Sequence, residues 1–425
     1  MVTLPAAKVP LSLYQRRLFA FLGVASFFEG YDFMALTQIL PNLGEEMHLS
    51  KADQGILVAV INAGTMIAYL LVRKADQWGR RRLLTITILG YTLFSILTGV
   101  APHVVAFALC QLLARIFLIS EWVVSMVYAA EEYPKDRRGL VIGVLQGFSG
   151  LGAIVCAGVV PLLLQTSLGW RSVYFVGGVP LLLMAVARRG LRETTRFAEH
   201  AAAAGTPAAQ PFYRILSSPY RGRMLKLALI WGLTYFCTQN AVTFWKAFAL
   251  AERGMTDADV GASITFAALV SMPLVFLAGK LLDVWGRRKG AAAIFTLTAA
   301  GVWASYSLDG RALLTGALVF GIFGSSAVLP ALNAYTAELF PTDLRSDAFA
   351  WSNNLLGRIG YVVSPYLVGL AAEKVGWGAA VSSTAILPLI ALGLILWLLP
   401  ATQGKELEET ARVESRAQPA QPDPG

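Results

Sequence analysis

A chain of 425 residues that is 56% hydrophobic and only 14% charged is not built like a soluble domain; a soluble chain carries about 25% charged residues. The formal net charge of +9 does not point to nucleic acid, because the cations are sorted along the chain rather than gathered on one polar face. Three cysteines in 425 residues are too few for a disulfide framework.

The deficit of charge is concentrated in segments. Thr85–Ala101, Ala291–Leu308 and Val381–Leu399 hold no charged residue, and each is about long enough to cross about 30 Å of hydrocarbon as a helix. Helix is the only open-ended way to satisfy backbone polar groups in lipid, and the short alternating segments of a barrel are not seen. Hydropathy predicts spans near 17–40, 53–74, 83–101, 104–128, 139–165 and 171–188, then 223–249, 258–281, 290–308, 311–336, 347–371 and 377–399. The expected fold is an all-α integral membrane protein of twelve transmembrane helices in two pseudo-symmetric six-helix halves. Its expected divisions are residues 1–188, a cytoplasmic linker 189–222, residues 223–400, and a disordered cytoplasmic tail 401–425.

Between the spans, Lys and Arg fall mostly on one set of loops and on both termini. Lys51, Arg171, Lys246, Arg253, Arg311 and Lys374 lie near the opposite face, and Arg115 and Arg358 lie inside spans. This asymmetry places both termini in the cytoplasm and the basic loops against anionic lipid heads. Arg16 and Arg17 precede an apolar run, but Glu29 and Asp32 interrupt it and no cleavage site is evident, so no removable signal peptide is expected. Cys110, Cys156 and Cys237 fall within spans and read as buried free thiols. His48, His103 and His200 show no metal-ligand spacing, and there is neither a phosphate-binding glycine loop nor a nucleophile elbow. The reading is therefore not an enzyme, with no metal and no cofactor.

Two short motifs occur twice at one constant offset. Asp76-Gln-Trp-Gly79-Arg80-Arg81 returns as Asp283-Val-Trp-Gly286-Arg287-Arg288; Glu131, Pro134 and Arg138 return as Glu338, Pro341 and Arg345; Gly169-Trp170 returns as Gly376-Trp377. Fixed-period self-similarity marks a duplicated unit, and parallel membrane halves around a cavity are a transporter plan. Gly79 and Gly286 permit positive φ or close approach in a short turn. Asp76 and Asp283 sit just before the next helix, where an anion is favoured. Arg80 and Arg287 can pair with Glu131 and Glu338; plain anchoring at the lipid phosphates is the alternative reading for the arginines.

These doubled motifs resemble the signature of the major facilitator superfamily, over about residues 15 to 400. The resemblance implies alternating access, a monomer, and a cytoplasmic latch formed by Asp76, Gly79, Arg80, Glu131 and Arg138 with Asp283, Gly286, Arg287, Glu338 and Arg345. The paired Glu-x-x-Pro-x-x-x-Arg is similar to sugar-porter and organic-acid branches.

Glu29 and Asp32 lie mid-span and three apart, so they share a helical face. A charge at that depth marks a pathway unless it is a structural ion pair, and a buried carboxyl is a usable proton carrier. The stretch Phe28-Glu29-Gly30-Tyr31-Asp32 resembles the motif of aromatic acid:proton symporters, with Glu29 in place of the first Asp. That resemblance implies proton coupling by Asp32, assisted by Glu29, with Arg115 of span four paired to the helix-one acid. Glu121-Trp122 after Arg115 resembles the helix-four motif of metabolite:proton symporters, although Ile116–Ser120 replace its glycines.

Arg358 in span eleven resembles the cavity arginine of aromatic acid symporters. A guanidinium stays charged and grips a carboxylate with two hydrogen bonds, which suggests an anionic substrate; the alternative is that it neutralises a buried acid of this chain. Gln146 matches the sugar-contacting glutamine of sugar porters, and Gln239-Asn240 match only partly. Asn333, Tyr335, Asn353, Asn354 and Tyr31 are further candidate substrate contacts, each with helix packing as the alternative. The combined expectation is a proton-coupled importer of a small organic anion, an aromatic or other monocarboxylate, in a bacterial inner membrane. Its partners are substrate, protons and lipid, and its energy source is the proton gradient. A proton-driven exporter of drugs or metabolites, a proton-coupled sugar or polyol symporter, and a non-transporting sensor are the alternatives.

Overall fold

The computed structural model describes residues 11–187, 191–194 and 213–400. The side chain of Asp76, most of the linker and the tail after residue 400 lie outside the described residues. Among the described residues every regular element is helical. The first repeat contributes α1 (Leu13–Glu46), α2 (Lys51–Val72), the single turn α3 (Ala75–Trp78), α4 (Arg80–Gly99), α5 (Val104–Glu132), α6 (Lys135–Leu163) and α7 (Arg171–Ala187). The second contributes α8 (Arg221–Thr243), α9 (Trp245–Arg253), α10 (Asp257–Val284), α11 (Arg287–Ser307), α12 (Arg311–Glu338), α13 (Arg345–Phe349), a π-helix (Ala350–Gly357), α14 (Arg358–Ser383) and α15 (Ile386–Leu398).

All twelve apolar segments of the sequence are helical, and the protein has the twelve-helix, two-half fold. Eight helical stretches are long and apolar enough to cross a membrane unaided. Segment six, α7, is only 17 residues long, segments seven and nine are broken or polar, and segments eleven and twelve count as one stretch. Segment seven is divided at Phe244, whose φ of −101° and ψ of 1° end α8 before α9 begins. Segment nine, α11, opens on Arg287, Arg288 and Lys289. Segments eleven and twelve run together, with a break at Gly376 (φ 83°, ψ 166°) inside α14.

The motif glycines explain how short turns join long helices. Gly79 (φ 88°) and Gly286 (φ 81°) occupy the same left-handed position, each just before the first residue of α4 and α11. A β-carbon is strained there, so the repeated glycine is a backbone requirement.

The described chain forms two compact units. One comprises the residues up to Ile39 and those from Ile67 into the linker; the other comprises Leu40–Met66 and the residues of the second repeat. In the first, Leu22, Leu83, Ile88, Val124 and Tyr128 form a buried core. In the second, Trp231, Phe295, Leu332, Tyr335 and Ile395 do so. Outward-facing Phe276, Leu277 and Trp397 are exposed, as expected of side chains that meet lipid. Without a hydrophobic drive between helices in lipid, close approach at small residues holds them together. A β-carbon on Gly30 of α1 would lie 1.8 Å from the Ser149 carbonyl oxygen of α6. One on Gly360 of α14 would lie 2.1 Å from that of Gly232 in α8.

The first half of α2 packs within the second unit. A β-carbon on Gly55 would meet the Pro365 carbonyl oxygen at 2.4 Å, and Asn62 Nδ2 donates to the Tyr361 carbonyl at 3.3 Å. Lys51 Nζ donates to the Ala372 carbonyl at 3.3 Å, and the Ala52 N–H donates to Glu373 Oε1 at 2.9 Å. That backbone hydrogen bond, reinforced by Ser50 and Lys51, holds the Glu373 carboxyl below its ordinary pKa. Lys246 is wholly buried, ion-paired with Asp257 and donating to Asn42 Oδ1 at 3.1 Å.

Candidate functional site

Three clusters of polar side chains stand out against the apolar interior. The first is the repeated cytoplasmic motif. In the first unit Arg80 Nη2 lies 3.3 Å from Glu131 Oε1, and Arg80 Nη1 donates to the Ala75 carbonyl. In the second, Arg287 reaches Glu338 at 3.0 Å and Asp283 at 2.9 Å. Burial alone would lower the Arg287 pKa, but the hydrogen bonds to Asp283 and Glu338 hold it above the ordinary arginine value. The sequence repeat is thus a repeat of contacts, each closed within its own unit. Arg345 donates to the Phe340 carbonyl at 3.4 Å, and Nε of Arg138 and of Arg345 has no hydrogen-bond partner among the described residues.

Sequence reading did not find a fourth member of the first cluster. The linker residues Leu191–Thr194 dock on the first unit: Leu191 is buried in its core, and the Tyr128 hydroxyl donates to the Arg192 carbonyl. Glu193 Oε1 accepts from the backbone N–H groups of Arg80, at 2.9 Å, and Arg81, at 3.2 Å. Thr194 Oγ1 donates to Glu131. A carboxylate at the unsatisfied first N–H groups of α4 is favoured by both hydrogen bonding and the helix dipole. The available signal was an acid in a linker next to a glycine-initiated helix, and nothing in the sequence tied the two together.

The second cluster is inside the first unit. Asp32 and Arg115 are 4% and 3% exposed and Glu121 is 3% exposed. Ser95 Oγ of α4 donates to Asp32 Oδ1 at 3.3 Å, and Ser125 Oγ, one turn along α5, donates to Glu121. Glu29 is half-buried, and its Oε2 has no hydrogen-bond partner among the described residues. The charge of Arg115 acts on both Glu29 and Asp32. The direct Arg115 to helix-one ion pair implied by the resemblance does not close. Instead the guanidinium lies 5.1 Å from the Phe33 ring centroid, and its Nε and Nη1 have no hydrogen-bond partner among the described residues. Asp32 turns to Ser95, a donor on a neighbouring helix that the motif did not include. Tyr31 is buried, and its hydroxyl donates to the Val173 carbonyl of α7 at 3.2 Å, a helix-packing contact.

The third cluster is inside the second unit. Arg358, the first residue after the π-helix, has its guanidinium carbon 5.0 Å from the Tyr235 ring and 4.9 Å from the Tyr361 ring. The two rings meet edge to face at 5.6 Å, and the Tyr235 hydroxyl donates to Asn353 Oδ1 at 2.8 Å. No acidic side chain among the described residues is within ion-pair distance of Arg358. The alternative that it neutralises a buried acid therefore has no partner to name here. The π-helix is the local cause of the geometry: its wider turn resets the register of the helix just before Arg358, as such bulges do at functional sites. Tyr361 was within reach of sequence reasoning, being three residues from Arg358 on one helical face; Tyr235 lies on another helix and gave no local signal.

The other candidates disperse. Gln146 of α6 and Asn333 of α12 are exposed, and Asn354 is half-buried in the π-helix. Gln239 Nε2 donates to Thr243 Oγ1 at 3.1 Å, and the buried Asn240 donates from Nδ2 to the Phe236 carbonyl at 2.6 Å. Tyr335 lies in the core of the second unit, and its hydroxyl has no hydrogen-bond partner among the described residues.

A model of the Major Facilitator Superfamily matches residues 22–256 and 227–422. The chain is 27% identical over 404 residues to a probable 4-methylmuconolactone transporter of Cupriavidus pinatubonensis, covering 93% of this chain and 92% of that one. It is 28% identical over 428 residues to a gallate transporter of Pseudomonas putida, covering 91% and 92%. Its fold matches the crystal structure of a bacterial homolog of the human lysosomal transporter Spinster with a TM-score of 0.75 at 15% identity, over 91% and 97% of the two chains. With the doubled motifs closed as doubled contacts and both repeats matched, the chain belongs to the Major Facilitator Superfamily: it is a multi-pass membrane transporter and not an enzyme.

Proposed function

We propose that the protein imports a small organic anion, an aromatic or other monocarboxylate, together with protons, by alternating access. The observation that carries this reading is Arg358, whose guanidinium lies against two tyrosine rings with no acid within ion-pair distance among the described residues. A cation inside a membrane protein needs a counter-charge, and a planar guanidinium supplies two parallel donors to a carboxylate. The tyrosine faces beside it suit a ring. The gallate and 4-methylmuconolactone transporters among the relatives support the same substrate class.

Asp32 takes up the coupled proton and Glu29 assists it. Arg115, within electrostatic reach of both, senses the change and shifts the conformational balance. The Arg80–Glu131 and Arg287–Glu338 contacts act as the cytoplasmic latch. The protein works as a monomer in a bacterial inner membrane with both termini in the cytoplasm. The proton gradient is its energy source, and no cofactor takes part.

The test is uptake into liposomes with an imposed gradient, inside alkaline. Gallate, nicotinate, xylose and a cationic dye are compared for wild type, Asp32→Asn and Arg358→Ala. Accumulation of an acid that both substitutions abolish supports the reading. Accumulation of xylose alone removes the anion site, and efflux of the dye against an opposite gradient replaces import with export.

A further inference from the structure

The interior of the first unit holds more acid than base. Glu29 and Asp32 come from α1 and Glu121 from α5; the charge of Arg115 acts on Glu29 and Asp32, and that of Glu121 acts on Glu29. The remaining titratable groups facing this cluster are Tyr31 of α1, Tyr91 of α4, Cys156 of α6 and Tyr174 of α7. Phenols and a thiol are neutral at neutral pH. Were all three carboxyls ionised, the one guanidinium that acts on the cluster among the described residues would leave two negative charges uncompensated within the membrane. Buried groups in that position neutralise rather than remain charged.

Hydrogen bonding indicates which group keeps the charge. Asp32 has both the Ser95 hydroxyl and the field of Arg115. Glu121 has the Ser125 hydroxyl and, among the described residues, no adjacent cation. Glu29 has a buried oxygen with no donor among the described residues, a far more tolerable position for a neutral carboxyl than for a carboxylate. Arg115 is 3% exposed, with Nε and Nη1 lacking a hydrogen-bond partner among the described residues, so it needs the one negative charge and cannot neutralise three.

We propose that the first unit holds two protons at rest, one on Glu29 and one on Glu121, with Asp32 the single carboxylate balancing Arg115. In this conformation Asp32 is the one carboxyl of the three able to accept a proton. The role given to Asp32 rests on the proton-coupled reading above; the count of protons does not.

Infrared spectroscopy of the full-length protein in lipid nanodiscs at neutral pH tests it, reading the carbonyl stretch of protonated carboxyl groups before and after exchange into heavy water. Wild type is expected to show two such groups. Glu29→Gln and Glu121→Gln should each remove one. Asp32→Asn should also leave one, because Arg115 then draws an anion from a glutamate, and Arg115→Gln should add a third. The absence of protonated carboxyls in wild type, or a spectrum unchanged by both glutamate substitutions, overturns the proposal. The wild-type count stands even if a variant fails to fold. Two protonated groups without proton-driven uptake would sink the symport reading alone; proton-driven uptake with no protonated group would sink this inference alone.

Discussion

Replacing Gly360 with alanine tests whether the Arg358 cradle depends on helix contact at a single glycine. The added β-carbon would lie 2.1 Å from the Gly232 carbonyl oxygen, 2.7 Å from its carbon and 2.9 Å from its Cα. Carbon and oxygen settle at about 3.3 Å or more, so α8 must retreat by about 1 Å. The obstacle is backbone, which cannot rotate aside. Alanine gains about 1 kcal/mol over glycine in a helix, but overpacking of this kind costs about 1–3 kcal/mol and more where nothing yields. The reciprocal change gives the control. A β-carbon on Gly232 meets only the Gly357 carbonyl oxygen, at 3.8 Å, an ordinary contact. Gly232→Ala should therefore be neutral or slightly stabilising, and Gly360→Ala destabilising. The assay is the apparent melting temperature of the detergent-purified protein, read by tryptophan fluorescence. Because Gly360 is two residues from Arg358 and Gly232 three from Tyr235, Gly360→Ala should also open the 5.0 Å contact between Arg358 and Tyr235 and weaken gallate uptake. Equal melting shifts for the two variants would refute the argument, since propensity alone treats them alike.

Glu193→Ala removes the acceptor for two N–H groups at the start of α4; loss of such a cap should lower stability by about 0.5–2 kcal/mol, measured by chemical unfolding of the purified protein, with Glu193→Gln falling between. Glu373 provides a pH test of the contact between α2 and α14. Its pKa is depressed below the ordinary 4.5 by the Ala52 N–H first and then by Ser50 and Lys51. The stabilisation is therefore fully present above that ordinary value and is lost as pH falls through the lower folded one. Hydrogen exchange at Ala52 should stay slow down to the ordinary glutamate range and quicken only below it; fast exchange already at neutral pH would contradict the contact.

What the sequence made legible was local or periodic. The apolar segments, the repeated glycines with positive φ, and the arginine–glutamate pairs could be read because composition and a fixed offset report them. The unread features depend on which helices meet. Phe244 divides segment seven where its ring is buried and stacked on Trp377, with centroids 4.4 Å apart, a contact between distant segments. Lys246 reads from its charge only as lying near the non-cytoplasmic face, yet Asp257 and Asn42 let it be wholly buried. The π-helix before Arg358 has no residue signature of its own. In place of the expected Arg115 pair, Asp32 meets Ser95, on a helix that the motif did not include, and Arg115 meets the ring of Phe33.

The repeat itself separates scaffold from chemistry. At the constant offset that carries Gly79 to Gly286 and Glu131 to Glu338, Glu29 meets Phe236, Asp32 meets Gln239, Arg115 meets Ile322 and Glu121 meets Val328. In the other direction Arg358 meets Leu151. Every interior charge of the two polar clusters thus has an uncharged counterpart, whereas the cytoplasmic motif is retained on both sides. An interior charge kept in both halves would double the cost of burying it and would put like charges in symmetric positions. Dividing the work avoids this: one half holds carboxyls and their arginine, the other an arginine cradled by tyrosines. The division makes the two halves separable by mutation. Restoring symmetry with Leu151→Arg should cost stability without creating a second anion site, because Tyr235 and Tyr361 have no tyrosine counterparts: the matching positions hold Phe28 and Ile154.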